Sequence, residues 1–201
     1  MNTHTIESHD HSPFSKDVFG FWIYIMSDCL LFASLFATFA VLHTKTFGGP
    51  ALGQLVEVPY VLGETLFLLA SSFTYGLAML SVYRSRRNNA IFFLILTFLL
   101  GLGFVTMEIN EFVHLYLAGH TWQSSAAMSS FFTLVGTHGL HVSIGLLWML
   151  ILIIKLFTER DIAVATSRKL TYLGLFWSFL DIVWIFVFTI VYLIGAVHVY
   201  A

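Results

Sequence analysis

Five apolar runs, each long enough to cross a lipid bilayer, leave this chain few folds. They cover approximately Val18–Leu42, Pro59–Val82, Ile91–Leu117, Ser130–Leu156 and Leu170–Val197, and each exceeds the ~18 apolar residues taken as a spanning candidate. Hydrocarbon offers backbone amides no water, so runs of this length pair their own N–H and C=O groups as helices. Composition agrees: 10% of the residues are charged, against roughly 25% in an ordinary soluble domain, and the mean hydropathy is +0.87. The expectation is an all-α fold, a five-helix transmembrane bundle. Residues 1–17 read as a mobile polar tail and 18–201 as a single five-span membrane domain without internal repeats. The breaks between runs are short: Gly48-Gly49-Pro50, a basic turn at Arg84-Ser85-Arg86-Arg87, a polar loop over Gly119–Ser129 and a mixed-charge loop ending at Lys169.

Lysine and arginine fix the orientation, because positively charged loops stay cytoplasmic. Of nine such residues, Lys16, Arg84, Arg86, Arg87, Lys155, Arg160, Arg168 and Lys169 fall on one side and Lys45 alone on the other. The N-terminus is expected to be cytoplasmic and, after five crossings, the C-terminus near Tyr200 periplasmic. A net charge of −2 with one cysteine, Cys29, excludes an internal disulfide and gives no sign of a nucleic-acid partner. His4, His9 and His11 sit in the tail, where ligands without structural neighbours rarely hold coordination geometry.

Ionisable groups inside the spans are functional hypotheses by default, since burying them in lipid is costly. Asp28 lies in the first run, Glu64 in the second, Glu108 and Glu111 in the third and Asp181 in the fifth, and no lysine or arginine lies deep in any run. Asp28, beside Ser27, is a candidate for proton exchange with the cytoplasmic side. Glu108, Glu111 and His114 form a polar stripe on one face of the third run. In the fourth run, Gly136-Thr137-His138-Gly139-Leu140-His141-Val142 sets two imidazoles about 60° apart on a helix of roughly 3.6 residues per turn, among small residues that let another helix approach closely. The stripe and this seam are expected to meet as a structural polar cluster of Glu64, Glu108, Glu111, His114, His138, His141 and Asp181.

Three chemical readings compete with a structural one. Membrane haem b is usually held between histidines of two helices, and only His114 lies at a depth to oppose His138 or His141. A copper or zinc site would need a His, Cys and carboxylate spacing that is not present. A small proton-coupled transporter would need a continuous wet path. The structural reading, with no metal site and no catalytic residue, assigns the rings and acids to hydrogen bonds between helices.

The residues also carry a resemblance. Phe19-Gly20-Phe21-Trp22-Ile23-Tyr24-Ile25-Met26-Ser27-Asp28-Cys29, Glu64-Thr65 with Leu68-Leu69 and Ser71-Ser72, Met107-Glu108-Ile109 with Glu111-Phe112, the Gly136–Val142 string, and Trp177 with Phe179-Leu180-Asp181-Ile182-Val183-Trp184 closely resemble subunit III of the haem–copper respiratory oxidases, in particular its five-helix bacterial form from ubiquinol oxidases. The resemblance covers all five runs. It implies a non-catalytic subunit of a proton-translocating ubiquinol oxidase in the bacterial inner membrane, serving aerobic respiratory electron transport. It implies no cofactor in this chain, haems and copper in the partner catalytic subunit I, direct contact with subunit I, further partners in subunits II and IV, and bound phospholipid. It also implies a two-helix group and a three-helix group around a lipid-filled cleft, with the first two spans facing the other three. The acid matching Asp28 is glutamate in many relatives and is linked with proton uptake. Ser178 stands where that pattern commonly has histidine. A cytochrome c oxidase subunit III is the near alternative, and a haem b electron-transfer protein the distant one.

Overall fold

The computed structural model describes residues 13–45, 58–119, 121–159 and 163–193. The tail histidines, the Gly48-Gly49-Pro50 loop, His120, Arg160 and the end of the fifth run beyond Leu193 lie outside the described residues. Within them are five helices long and apolar enough to cross a membrane. They are α1 (Pro13–Leu42), α2 (Val58–Tyr83), α3 (Arg87–Leu117), α4 (Ala126–Thr158) and α5 (Val164–Val187), the last continuing as a π-helical turn over Phe188–Leu193. The polar tail predicted through residue 17 is helical from Pro13 onward. Proline suits a first helical position, where its missing N–H would have no partner in any case.

Local chemistry sets the helix ends. Ser125 caps α4 with an extended backbone, and its side chain accepts from the Met128 N–H at 3.2 Å. Between α2 and α3 the chain reverses over three residues. Arg86 N–H donates to Ser81 O and Ser85 N–H to Val82 O, the paired bonds of a Schellman end, with Ser85 at φ +54° in the position glycine usually takes. Arg87 then ties this turn to the far end of α4, its guanidinium donating to Leu156 O at 2.8 and 3.0 Å and to Phe157 O at 3.0 Å. Carbonyls that a helix end leaves unpaired are thereby satisfied.

Packing departs from the expected grouping. α2 packs most extensively on α3 and also on α5, while α1 seats against α4 and α5. The first two helices therefore do not pair off against the other three; α2 is an integral wall of the bundle and α1 lies along its outside. The reason is in the side chains. α2 presents Thr65, Ser71, Ser72, Thr74 and Tyr75, all of which reach across to α3 or α5, whereas α1 offers α2 no polar partner among the described residues. α1 exposes Phe19, Trp22, Ile23, Met26 and Leu30, as a helix facing lipid or a neighbouring subunit does. The centre is aromatic: Trp177, Trp184, Phe104, Phe131 and Phe176 are essentially fully buried.

Candidate functional site

Close helix approach at the centre depends on glycine. A Cβ at Gly101 would lie 2.8 Å from Leu146 Cδ2 and 3.1 Å from the Trp177 ring, and one at Gly145 would meet Phe176 and Trp177 at 3.1 Å. The Trp177 indole thus fills the space between α3 and α4, and its N–H donates to Ser71 Oγ at 3.1 Å. Two turns on, the Trp184 N–H donates to Thr65 Oγ1 at 3.0 Å. Tyr75 OH donates to Leu170 O at 2.6 Å, and Ser72 OH donates to Asp181 Oδ2. These four bonds lace α2 to α5 along their shared length.

Asp28 and His141 meet where α1 crosses α4. Asp28 is 7% exposed, and its Oδ1 lies 3.7 Å from His141 Nε2, an ion-pair separation longer than a hydrogen bond. His141 Nδ1 lies 2.8 Å from Thr137 O. A carbonyl can only accept, so Nδ1 carries the ring proton and donates it. Nε2 is thereby left facing Asp28. The Tyr24 hydroxyl, one turn before Asp28, interacts with the same carboxyl, and Phe32 closes the far side against the His141 ring at 5.2 Å between centroids.

His138, three residues away, has a different environment. It is 0% exposed, stacked on Trp184 at 5.1 Å and 30° and met edge-on by Phe104 at 6.0 Å and 89°. Neither ring nitrogen has a hydrogen-bond partner among the described residues. Close by, Glu64 on α2 and Glu108 and Glu111 on α3 form an acid group within electrostatic reach of one another. Glu64 is 0% and Glu108 2% exposed. Glu111 accepts from Tyr192 OH at 2.9 Å, a hydroxyl that the π-helical turn carries into place. Glu108 lies flat against Gly139 of α4, where a Cβ would stand 2.7 Å from the carboxyl carbon.

The expected single cluster is therefore several separate contacts. Asp28 belongs with His141, Glu108 with Gly139, Glu111 with Tyr192 and Asp181 with Ser72, while His138 lies in an aromatic box. His114 is exposed on α3 and does not join them; it sits on the outward side of the helix, past the turn where α3 contacts α4. Ser178 is also exposed and lines a groove between α2 and α5. Sequence reading missed Tyr24, Ser72, Trp184 and Tyr192 as site residues. The first stands one helical turn before Asp28, a spacing that pairs side chains; the others act across 81 to 119 residues of sequence and carry no local signal. Among the described residues no three His, Cys, Asp or Glu side chains converge in a way that could hold a metal ion.

Residues 3–196 match the sequence model of a family described as cytochrome c oxidase subunit III. The chain is 53% identical over 204 residues, 98% of its length and 97% of the other, to the cytochrome bo(3) ubiquinol oxidase subunit 3 of Pseudomonas aeruginosa. It is 48% identical to the protein of the same name from Pseudomonas putida, over 92% of this chain and 89% of that one. With the quinol oxidase subunit 3 of Bacillus subtilis it shares 46% identity, over 89% of this chain and 87% of the other.

Proposed function

The chain belongs to the cytochrome c oxidase subunit III family, and from that membership we propose the role it plays beside its partners. It is subunit III of a quinol oxidase, an integral membrane component of aerobic respiratory electron transport. The observation that carries this reading is identity of 46% to 53% with quinol oxidase third subunits along nearly the whole of both chains. Family membership alone would leave the electron donor open between cytochrome c and quinol; the names of these relatives favour ubiquinol.

Its own part is assembly and support. It carries no electron carrier; the haems and copper belong to the catalytic subunit I, against which it packs, with subunits II and IV as further neighbours. Support comes from how its polar groups are used. The indoles, hydroxyls and Asp181 tie α2 to α5, Gly139 seats Glu108, and the rings of His138 and Trp184 stack on each other. Each such contact is worth on the order of 0.6 kcal/mol in a membrane, enough in sum to hold one arrangement of helices. The membrane is the bacterial inner one, with the N-terminus cytoplasmic and the C-terminus periplasmic; eight of the nine lysines and arginines falling on one side support that orientation. The Asp28–His141 pair supports proton entry to the enzyme from the side where α1 begins.

A tagged chain isolated in mild detergent tests this. The expected result is co-purification of haem-bearing oxidase subunits with quinol oxidase activity; isolation of the chain alone, from cells expressing the oxidase, would refute it.

A further inference from the structure

Charge is unevenly met at one end of the bundle, where α2 begins and α3 finishes. The segments that connect or end the helices there carry Lys45 as their only lysine or arginine, against Glu57 just before α2 and Glu64, Glu108 and Glu111 within the helices. Glu64 stands six residues past Val58 and Glu111 six short of Leu117, in each case about 9 Å of helix. Glu64 is fully buried, and neither of its carboxyl oxygens has a hydrogen-bond partner among the described residues; buried Glu108 Oε1 has none either. A carboxyl held so far from water needs a proton or a positive charge beside it. Resting on the reading of this chain as an oxidase subunit, we propose that a lysine or arginine of a neighbouring subunit seats against Glu111 and completes this acid group.

Glu111 is the member of the group that a partner can reach. It is partly exposed, whereas Glu64 and Glu108 are buried, and it lies within electrostatic reach of both. Tyr192 OH donates to its Oε2 at 2.9 Å, which leaves Oε1 for a second donor. Exposed Asn110 and partly exposed Tyr60 stand beside it: the Asn110 side chain meets the Tyr60 hydroxyl, which donates to Met107 O at 3.1 Å. The chain supplies no cation of its own. The ion pairs among the described residues are Asp28–His141 and Lys155–Glu159, so neither Lys45 nor His114, one turn beyond Glu111 on α3, meets the acids. Nor do the three carboxyls converge as metal ligands would, among the described residues. A long basic side chain suits the depth, because it buries its methylene stem and carries its charge inward while its backbone stands nearer the interface. Once seated there it is screened by salt less than an exposed pair, and the charge of Glu64 and Glu108 adds to that of Glu111 in holding it.

The test uses the intact purified oxidase. A photo-crosslinking side chain at residue 110 should capture another oxidase subunit within one helical turn of a lysine or arginine, identified by peptide mass spectrometry. Glu111→Gln keeps an acceptor for Tyr192 but removes the charge, and the chain should then leave the complex in diluted detergent at least about tenfold faster than wild type. Tyr192→Phe removes the hydroxyl and keeps the acid, and should speed that loss only about threefold. Glu111→Lys combined with a glutamate in place of the captured base should restore retention that either change alone destroys, a rescue that a merely structural role would not show. Capture of lipid alone, or of a segment without lysine or arginine, would overturn the proposal. So would wild-type retention of Glu111→Gln, which would show that protons satisfy the acids, or a charge swap that rescues nothing. Absence of partner subunits from the wild-type preparation counts against the subunit reading, whereas these outcomes in an intact complex count against the Glu111 contact alone.

Discussion

Replacing Gly139 by alanine probes the tightest polar contact between α3 and α4. The new Cβ would lie 2.7 Å from the Glu108 carboxyl carbon, about 1 Å inside the 3.5–4.0 Å at which carbon atoms pack. Glu108 is 2% exposed and has little room to withdraw, so the expected cost is that of overpacking, about 1–3 kcal/mol. Gly136, one turn earlier on α4, is the matched control: a Cβ there meets Phe112 at 3.8 Å, an ordinary contact, and Gly136→Ala should be tolerated. The assay is retention of the chain in the purified oxidase across a thermal ramp in mild detergent, for Gly139→Ala, Glu108→Ala and the double variant. Since the clash needs both side chains, the double variant should be no less stable than Glu108→Ala alone, a positive coupling of the kind double-mutant cycles isolate. Gly139→Ala indistinguishable from Gly136→Ala, or a full Gly139→Ala cost persisting without the Glu108 side chain, would refute the assigned packing.

Ser72→Ala should weaken the α2–α5 contact by about 1 kcal/mol, because it removes the hydroxyl that Asp181 accepts from while Asp181 Oδ1 already lacks a partner; a lower thermal midpoint with unchanged haem content is the expected reading. Asp28→Asn should leave assembly intact and hasten loss of activity during turnover, as should His141→Ala, since either removes one partner of the Asp28–His141 pair. Turnover lifetimes equal to wild type in both would make the pair purely structural.

The five crossings were legible because length and hydropathy alone decide them. The ends were less so: α4 and α5 extend beyond the apolar runs to Ala126 and Val164, where the Ser125 cap rather than hydrophobicity sets the start of α4 and Ala163 supplies no side-chain cap to α5. Helix pairing was not legible. In lipid the apolar faces have no preference for one another, so neighbours are chosen by shape and by a few polar groups, and the assignment of α1 to α4 and α5 rests on contacts such as Asp28 with His141 that no local pattern announces. The fourth run shows the limit most clearly. His138 and His141 share a face by spacing, yet about 60° of rotation is enough to send one toward Trp184 on α5 and the other toward Asp28 on α1. Glu108, expected to meet those rings, instead rests on the glycine between them, and His114 falls on the outer side of α3. The acids and imidazoles were correctly singled out as buried groups needing partners; which partner each found depends on the three-dimensional packing.

The visible spectrum of the chain purified away from its partners tests most directly the claim that it fixes helix positions and carries no electrons. With the isolated polypeptide folded, as judged by helical circular dichroism, there should be no Soret absorption and no stoichiometric iron or copper, while the complex it joins shows both. A Soret band at one haem per chain, lost on His138→Ala or His141→Ala, would contradict the account.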